Sequence, residues 1–151
     1  MKIIYRNAKR EDAELLINLY NAAFYDDYMR YGECPGYGKT KEEMELSIEN
    51  VPKYIIDYDG NPVGVLSYES KGNGIYYLGC LCLIPKYQGK GIGTDAIRYM
   101  KDTCKDWKRI ELVTPADRSE NISFYRDRCG FEIGEKLMDG KVELVNIFTY
   151  K

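Results

Sequence analysis

Histidine is absent from these 151 residues, and tryptophan occurs once. Without an imidazole there is no Ser–His or Cys–His nucleophile pair and no histidine-ligated metal, so no metal site is expected. Any general base has to be a carboxylate, a tyrosine, a lysine or a bound water. Cysteine is present but unpatterned: Cys34, Cys80, Cys82, Cys104 and Cys129 are odd in number and include no C-x-x-C pair. That suggests neither a disulfide framework nor a zinc site, and free thiols at this density point to a reducing, intracellular setting. The opening run from Met1 to Arg6 has too few apolar residues for a signal peptide. No segment reaches the ~20 apolar residues of a membrane span, so a cytoplasmic location with no membrane partner is expected. A basic excess is missing too. The 22 Lys and Arg against 24 Asp and Glu leave a net charge of -2, which argues against a nucleic-acid partner and weakly favours a small cationic substrate.

What is present is ordinary for one soluble domain spanning residues 1–151, with 44% apolar and 30% charged residues. The 15 tyrosines are the exception. Tyrosine supplies apolar area with a polar tip, which suits a pocket and suits strands equally. Ile3 to Arg6 reads as a first strand. From Glu11 to Phe24 the apolar positions Ala13, Leu16, Ile17, Tyr20, Ala23 and Phe24 fall on one helical face. An aromatic and acidic loop follows, from Tyr25 to Gly38. Thr40 with Glu43 is a capping-box pattern opening a second helix to about Asn50.

The middle is a meander: strands from Tyr54 to Tyr58, Val63 to Ser70 and Ile75 to Leu83, separated by turns at 59–62 and 72–74. The third strand is apolar at nearly every position, so it is expected to be central with both faces covered. A helix then carries Ile92, Ala96, Tyr99, Met100, Thr103 and Trp107 on one face. Arg109 to Thr114 alternates as a strand, Asn121 to Cys129 reads as a short helix, and Phe131 to Met138 and Val142 to Tyr150 form a closing hairpin. The sum is an α/β fold of the α+β type, a mixed and mostly antiparallel central sheet of about seven strands flanked by about four helices.

Gln88-Gly89-Lys90-Gly91-Ile92-Gly93, between a strand and a helix start, has the layout of a phosphate cradle. First-turn N–H groups and the helix dipole favour an anion there, and glycine lets the backbone approach it. A plain chain-reversing turn is the bland alternative. The lysine-containing ATP loop G-x-x-x-x-G-K-[ST] is absent. Gly91 to Ala96 matches the dinucleotide pattern G-x-G-x-x-A, but residues 85–90 intervene after the strand, and the upstream meander contradicts a doubly wound parallel sheet.

With its surroundings, the segment from Leu81 to Gly93 resembles the signature of the GNAT acetyltransferase superfamily. That signature is a strand, a proline a few residues on, then [QR]-x-x-G-x-[GA], with Gln88, Gly91 and Gly93 in its key positions. The segment from Asn121 to Phe131 is similar to a second family region in spacing and residue type. The element order agrees across essentially the whole chain, so the fold expected is GNAT-like. The resemblance implies acetyl-CoA (or CoA) as cofactor, an N-acetyltransferase activity, and an amine acceptor on a small molecule or peptide, served by a monomer or homodimer. It implies that the pantetheine arm pairs with the backbone of Leu81, Cys82 and Leu83 like an added strand. N–H groups of Gln88, Gly89, Lys90, Gly91, Ile92, Gly93 and Thr94 hold the pyrophosphate, and Lys86, Lys90 or Arg128 neutralise phosphate charge.

The family chemistry is direct attack of a neutral amine on the thioester. The N–H near Leu83 would polarise the carbonyl. Tyr125 matches the family's general acid, since a phenol is ordinarily near a thiol in acidity; packing under the cofactor, beside Phe124, is the alternative role. Asn121 resembles a side chain orienting the arm or a water, with helix capping as its alternative. Cys80 and Cys82 read as packed small hydrophobes, not nucleophiles. The base departs from the family pattern, because 75–84 holds no carboxylate. Glu69, the loop residues Asp26, Asp27 and Glu33, or a water chain are the candidates. Tyr25, Asp26, Tyr28 and Glu33 would suit a cationic acceptor. A non-catalytic acyl-CoA-binding or sensing domain is the competing reading, and a nucleotide-dependent redox domain a remote third.

Overall fold

Residues 2–151 are described by the computed structural model. In chain order the elements are β1 (Ile3–Asn7), α1 (Ala13–Tyr31), α2 (Lys41–Asn50), β2 (Lys53–Tyr58), β3 (Asn61–Gly72), β4 (Ile75–Leu83) and α3 (Ile92–Thr103). They continue with β5 (Arg109–Pro115), α4 (Ser119–Ser123), β6 (Glu132–Asp139) and β7 (Val142–Tyr150). Short 3-10 turns precede α1 at Arg10–Asp12 and follow β4 at Pro85–Tyr87. The strands form one seven-stranded sheet in the order β1-β2-β3-β4-β5-β7-β6. β4 and β5 run parallel, whereas β1–β2, β2–β3, β5–β7 and β6–β7 are antiparallel. The mixed, mostly antiparallel sheet expected from the meander is therefore present, and β4 is central.

Two compact units divide the chain. One comprises the residues up to Tyr68 with Cys80–Ala96, the other Glu69–Gly79 with Ile97–Lys151. In the first, Leu16, Leu19 and Tyr20 of α1, Met44 of α2, Ile55 of β2, Val65 of β3 and Cys82 of β4 make one buried cluster. α2 starts as its sequence dictates: Glu43 N–H donates to Thr40 Oγ1 (3.1 Å) and Thr40 N–H donates to the Glu43 carboxylate (2.9 Å). That second bond holds the Glu43 carboxyl below its usual range. α1 is longer than its apolar face suggested. It runs through Tyr25–Tyr31, expected as loop, and stops at Gly32, whose φ of 74° is left-handed. No helix breaker occurs before Gly32; the acidic and aromatic composition reflects an exposed helical face, not a loop.

In the second unit β5 alternates as expected, burying Ile110, Leu112 and Thr114, and β7 pairs along its whole length. Trp107 and Phe131 are buried beneath the Lys101 ammonium, at 5.2 and 5.7 Å from the ring centres. Three expectations need correcting here and in the strand and helix shared with the first unit. α3 buries Ile92, Ala96, Ile97 and Met100, while Thr103 is exposed and Trp107 lies past the helix end. β4 is not covered on both faces: Leu78 and Cys82 alone are buried, and Gly79 is exposed. Its ladder to β5 joins Ile75–Tyr77 with Arg109–Glu111 and no further positions among the described residues. The helix expected from Asn121 to Cys129 is broken, α4 giving way to a single wider π turn at Phe124–Arg128.

Candidate active site

The end of β4 is defined by its neighbour β3. Asn73 and Gly74, at φ 56° and 78°, form the two-residue turn that joins them, a turn type whose twist matches an antiparallel pair. At the other end Ile84 N–H donates to Val63 C=O (2.9 Å). At this end Gly64 lies against Cys82 and Leu83. Gly64 has to be glycine: a Cβ there would stand 2.2 Å from the Cys82 carbonyl oxygen and 2.7 Å from Leu83 Cδ2. In an antiparallel ladder successive residues turn their N–H and C=O to alternate edges. The Leu83 C=O shares a trans peptide unit with the Ile84 N–H that is bonded to β3, so that carbonyl points to the opposite edge.

The chain then tightens through Pro85–Tyr87, with Tyr87 N–H donating to Ile84 C=O and Gln88 N–H to Pro85 C=O (2.9 and 3.2 Å). The Gln88 side chain turns back, its Nε2 donating to the Leu83 carbonyl at 3.0 Å. Gly89 and Gly91 adopt φ of 75° and 86°, and a Cβ at either would meet nothing within 4 Å. Glycine is required there by the backbone alone, and space lies open beside it. α3 begins directly after, so the N–H groups of Ile92, Gly93 and Thr94 belong to a first turn that has no intrahelical acceptor for them. Gly93 is buried, whereas Lys86, Gln88, Gly89, Lys90 and Thr94 are exposed. Asp95, also in the first turn, accepts from Tyr5 Oη at 2.6 Å.

Cys80 and Cys82 pack into the first unit's apolar cluster as expected, Cys82 buried and Cys80 half-buried. The Cys82 thiol donates to Cys80, which pushes Cys82 well up; burial adds to this. The same bond, with one from Tyr20, holds Cys80 down. Tyr20 itself is pushed far up, first by burial. On α1, Tyr25 and Tyr28 are exposed with Asp26, and both tyrosines meet Tyr37, at 6.2 and 4.4 Å between ring centres. Glu33 lies exposed just past the helix end.

In the second unit Asn121 Nδ2 donates to Thr114 Oγ1 at the end of β5 (3.1 Å). Asn121 is not a helix cap, because α4 is capped at Arg118, three residues earlier. The π turn is closed by Cys129 N–H donating to Phe124 C=O (3.2 Å). It buries Tyr125 between Phe124 and Phe131, with ring centres 5.0 and 5.5 Å away, and leaves Arg128 exposed. Single π turns inside helices concentrate at functional sites. Glu69 pairs with Lys71 at 3.0 Å and is partly open to solvent. Gly64, Thr114 and the Tyr5–Asp95 bond were not singled out from sequence. Only Gly64 carried a signal, as a lone glycine within a strand; the other two depend on pairings distant in the chain.

Residues 14–131 match the profile of the acetyltransferase (GNAT) family. Protein YrkN of Bacillus subtilis (strain 168) is 28% identical over 144 residues, covering 89% of this chain and 75% of that protein. Among solved structures, the PaiA N-acetyltransferase of Thermoplasma acidophilum in complex with coenzyme A superposes with a TM-score of 0.80. It is 20% identical, and each chain is covered over 100% of its length. An acetyltransferase from Thermus thermophilus superposes at 0.78 and 17% identity, covering 100% of this chain and 98% of that one. At those identities the structures attest the fold, and the profile match attests the kinship. The chain belongs to the GNAT acetyltransferase family.

Proposed function

We propose that this protein transfers an acetyl group from acetyl-CoA to an amine of a small molecule or peptide, as one acetyltransferase domain over residues 1–151. The supporting observation is the end of β4 together with the loop that leads into α3. The Leu83 carbonyl turns away from β3, and two glycines in left-handed conformation have open space beside them, directly before the first turn of a 12-residue helix. That donor set fits an amide-bearing arm followed by a pyrophosphate. Gln88 to Thr94 would hold the phosphates, with Lys86, Lys90 and Arg128 as cations, while Leu81, Cys82 and Leu83 would hold the arm. Phe124 and Asn121 would order its surroundings.

Acetyl-CoA supplies an activated acyl carbon and a thiolate leaving group. The Leu83 N–H would polarise the thioester carbonyl as it gains charge. Tyr125 gives its proton to the departing sulfur as the nitrogen–carbon bond forms and the carbon–sulfur bond breaks. The amine proton passes through water to Glu69. Tyr25, Asp26, Tyr28 and Glu33 would receive a cationic acceptor, the three-ring group around Tyr37 offering faces for it.

Acetyl-CoA at 100 times its dissociation constant should stabilise the fold by ~2.7 kcal/mol in a thermal melt. Stabilisation by NADH and none by acetyl-CoA would sink this reading. A second reading, an acyl-CoA-binding sensor, draws on the pairing of Glu69 with Lys71 and the lack of a carboxylate on β4. Thiol release across a panel of amines separates the two: binding with no release from any amine favours the sensor.

A further inference from the structure

Gln88 occupies a group that the proposed cofactor needs. Its Nε2 donates to the Leu83 carbonyl at 3.0 Å, and that carbonyl lies on the edge of β4 turned away from β3, where an added strand would pair. We propose that the Gln88 carboxamide is a built-in stand-in for the cofactor's arm: it satisfies the Leu83 carbonyl before binding and gives it up when the arm arrives. The inference rests on the acetyl-CoA reading above.

Three observations carry it. A strand-edge carbonyl wants a partner, and the side chain five residues on supplies one without closing the edge with another strand. Gln88 is exposed, so water competes for the bond and its net worth is modest. It also stands directly before Gly89, whose left-handed φ of 75° and open surroundings impose no side-chain obstacle to a swing of the carboxamide towards the loop. Once displaced, Nε2 is released to water, so binding of the arm carries the cost of the bond lost at Leu83.

Calorimetric titration of the full chain with CoA and with 3′-phospho-ADP, which keeps the phosphates and lacks the arm, isolates the arm's contribution as the ratio of the two dissociation constants. Gln88→Met keeps the side chain's length and removes the donor; Gln88→Ala removes the chain. Both should enlarge the ratio about two- to tenfold, the worth of one amide–carbonyl bond no longer broken on binding. In 15N-labelled wild type, the Gln88 side-chain amide signals, assigned by their loss in Gln88→Ala, should shift further with CoA than with 3′-phospho-ADP. An unchanged or smaller ratio in both variants, or equal shifts with both ligands, overturns the inference while leaving CoA binding intact. Failure of wild type to bind CoA at all overturns the parent reading and this inference with it.

Discussion

Tyr125 shows how a single side chain's chemistry depends on local backbone geometry. Its ring is wedged between Phe124 and Phe131, so removing the hydroxyl leaves the packing in place. Tyr125→Phe should therefore lower turnover by about 10- to 100-fold if the phenol is the acid. The dissociation constant for acetyl-CoA should change little. Steady-state rates together with calorimetry check both halves, and an unchanged rate removes the assignment. Glu69 teaches the opposite lesson. It was legible as a carboxylate near the central strand, but its pairing with Lys71, two residues on along β3, was not, because i and i+2 side chains share a face only once the segment is known to be extended there. Asn121 was likewise legible as a site candidate. Its partner Thr114 was not, since nothing in the spacing of those residues marks them as neighbours in space.

At the scale of elements, the β3–β4 pair is the most constrained feature. Adding one methyl at Gly64 would place it 2.2 Å from the Cys82 carbonyl, a backbone atom that cannot rotate away. Gly64→Ala should cost about 1–3 kcal/mol of stability, as overpacking generally does, and should weaken CoA more than 3′-phospho-ADP because it moves the strand and not the loop. Chemical denaturation and paired titrations check this; unchanged stability would mean that β3 and β4 stand further apart. Strand identities were readable because alternation is a period-2 signal that few other patterns imitate, as along Arg109–Pro115. The C-terminal half of α1 was not, because Tyr25–Tyr31 carries no second apolar face and composition there imitated a loop. The π turn had no signal, since one extra residue per turn leaves the residue types unchanged.

For the molecule as a whole, chain order and family motifs set the topology, and burial sorts what composition could only count. The five thiols illustrate it. Cys82 and Cys104 are buried, whereas Cys34, Cys80 and Cys129 are half-buried. Burial pushes Cys34 and Cys129 up, so both should react slowly at neutral pH and faster as pH rises. Cys82 and Cys104 should be alkylated only as fast as the fold opens. Peptide mass spectrometry after timed alkylation reads all five sites, and prompt labelling of Cys82 would contradict the packing around Tyr20.

Trp107 is the chain's only indole. It is buried in the second unit, with the ammonium groups of Lys101 and Lys151 5.2 and 5.7 Å from its ring centre. Excited selectively at the red edge of its absorption, it makes the second unit luminescent and leaves the first dark. Loss of order around β5 and the end of α3 would register as a shift in emission colour, while events confined to α1 and α2 would pass unseen by that light.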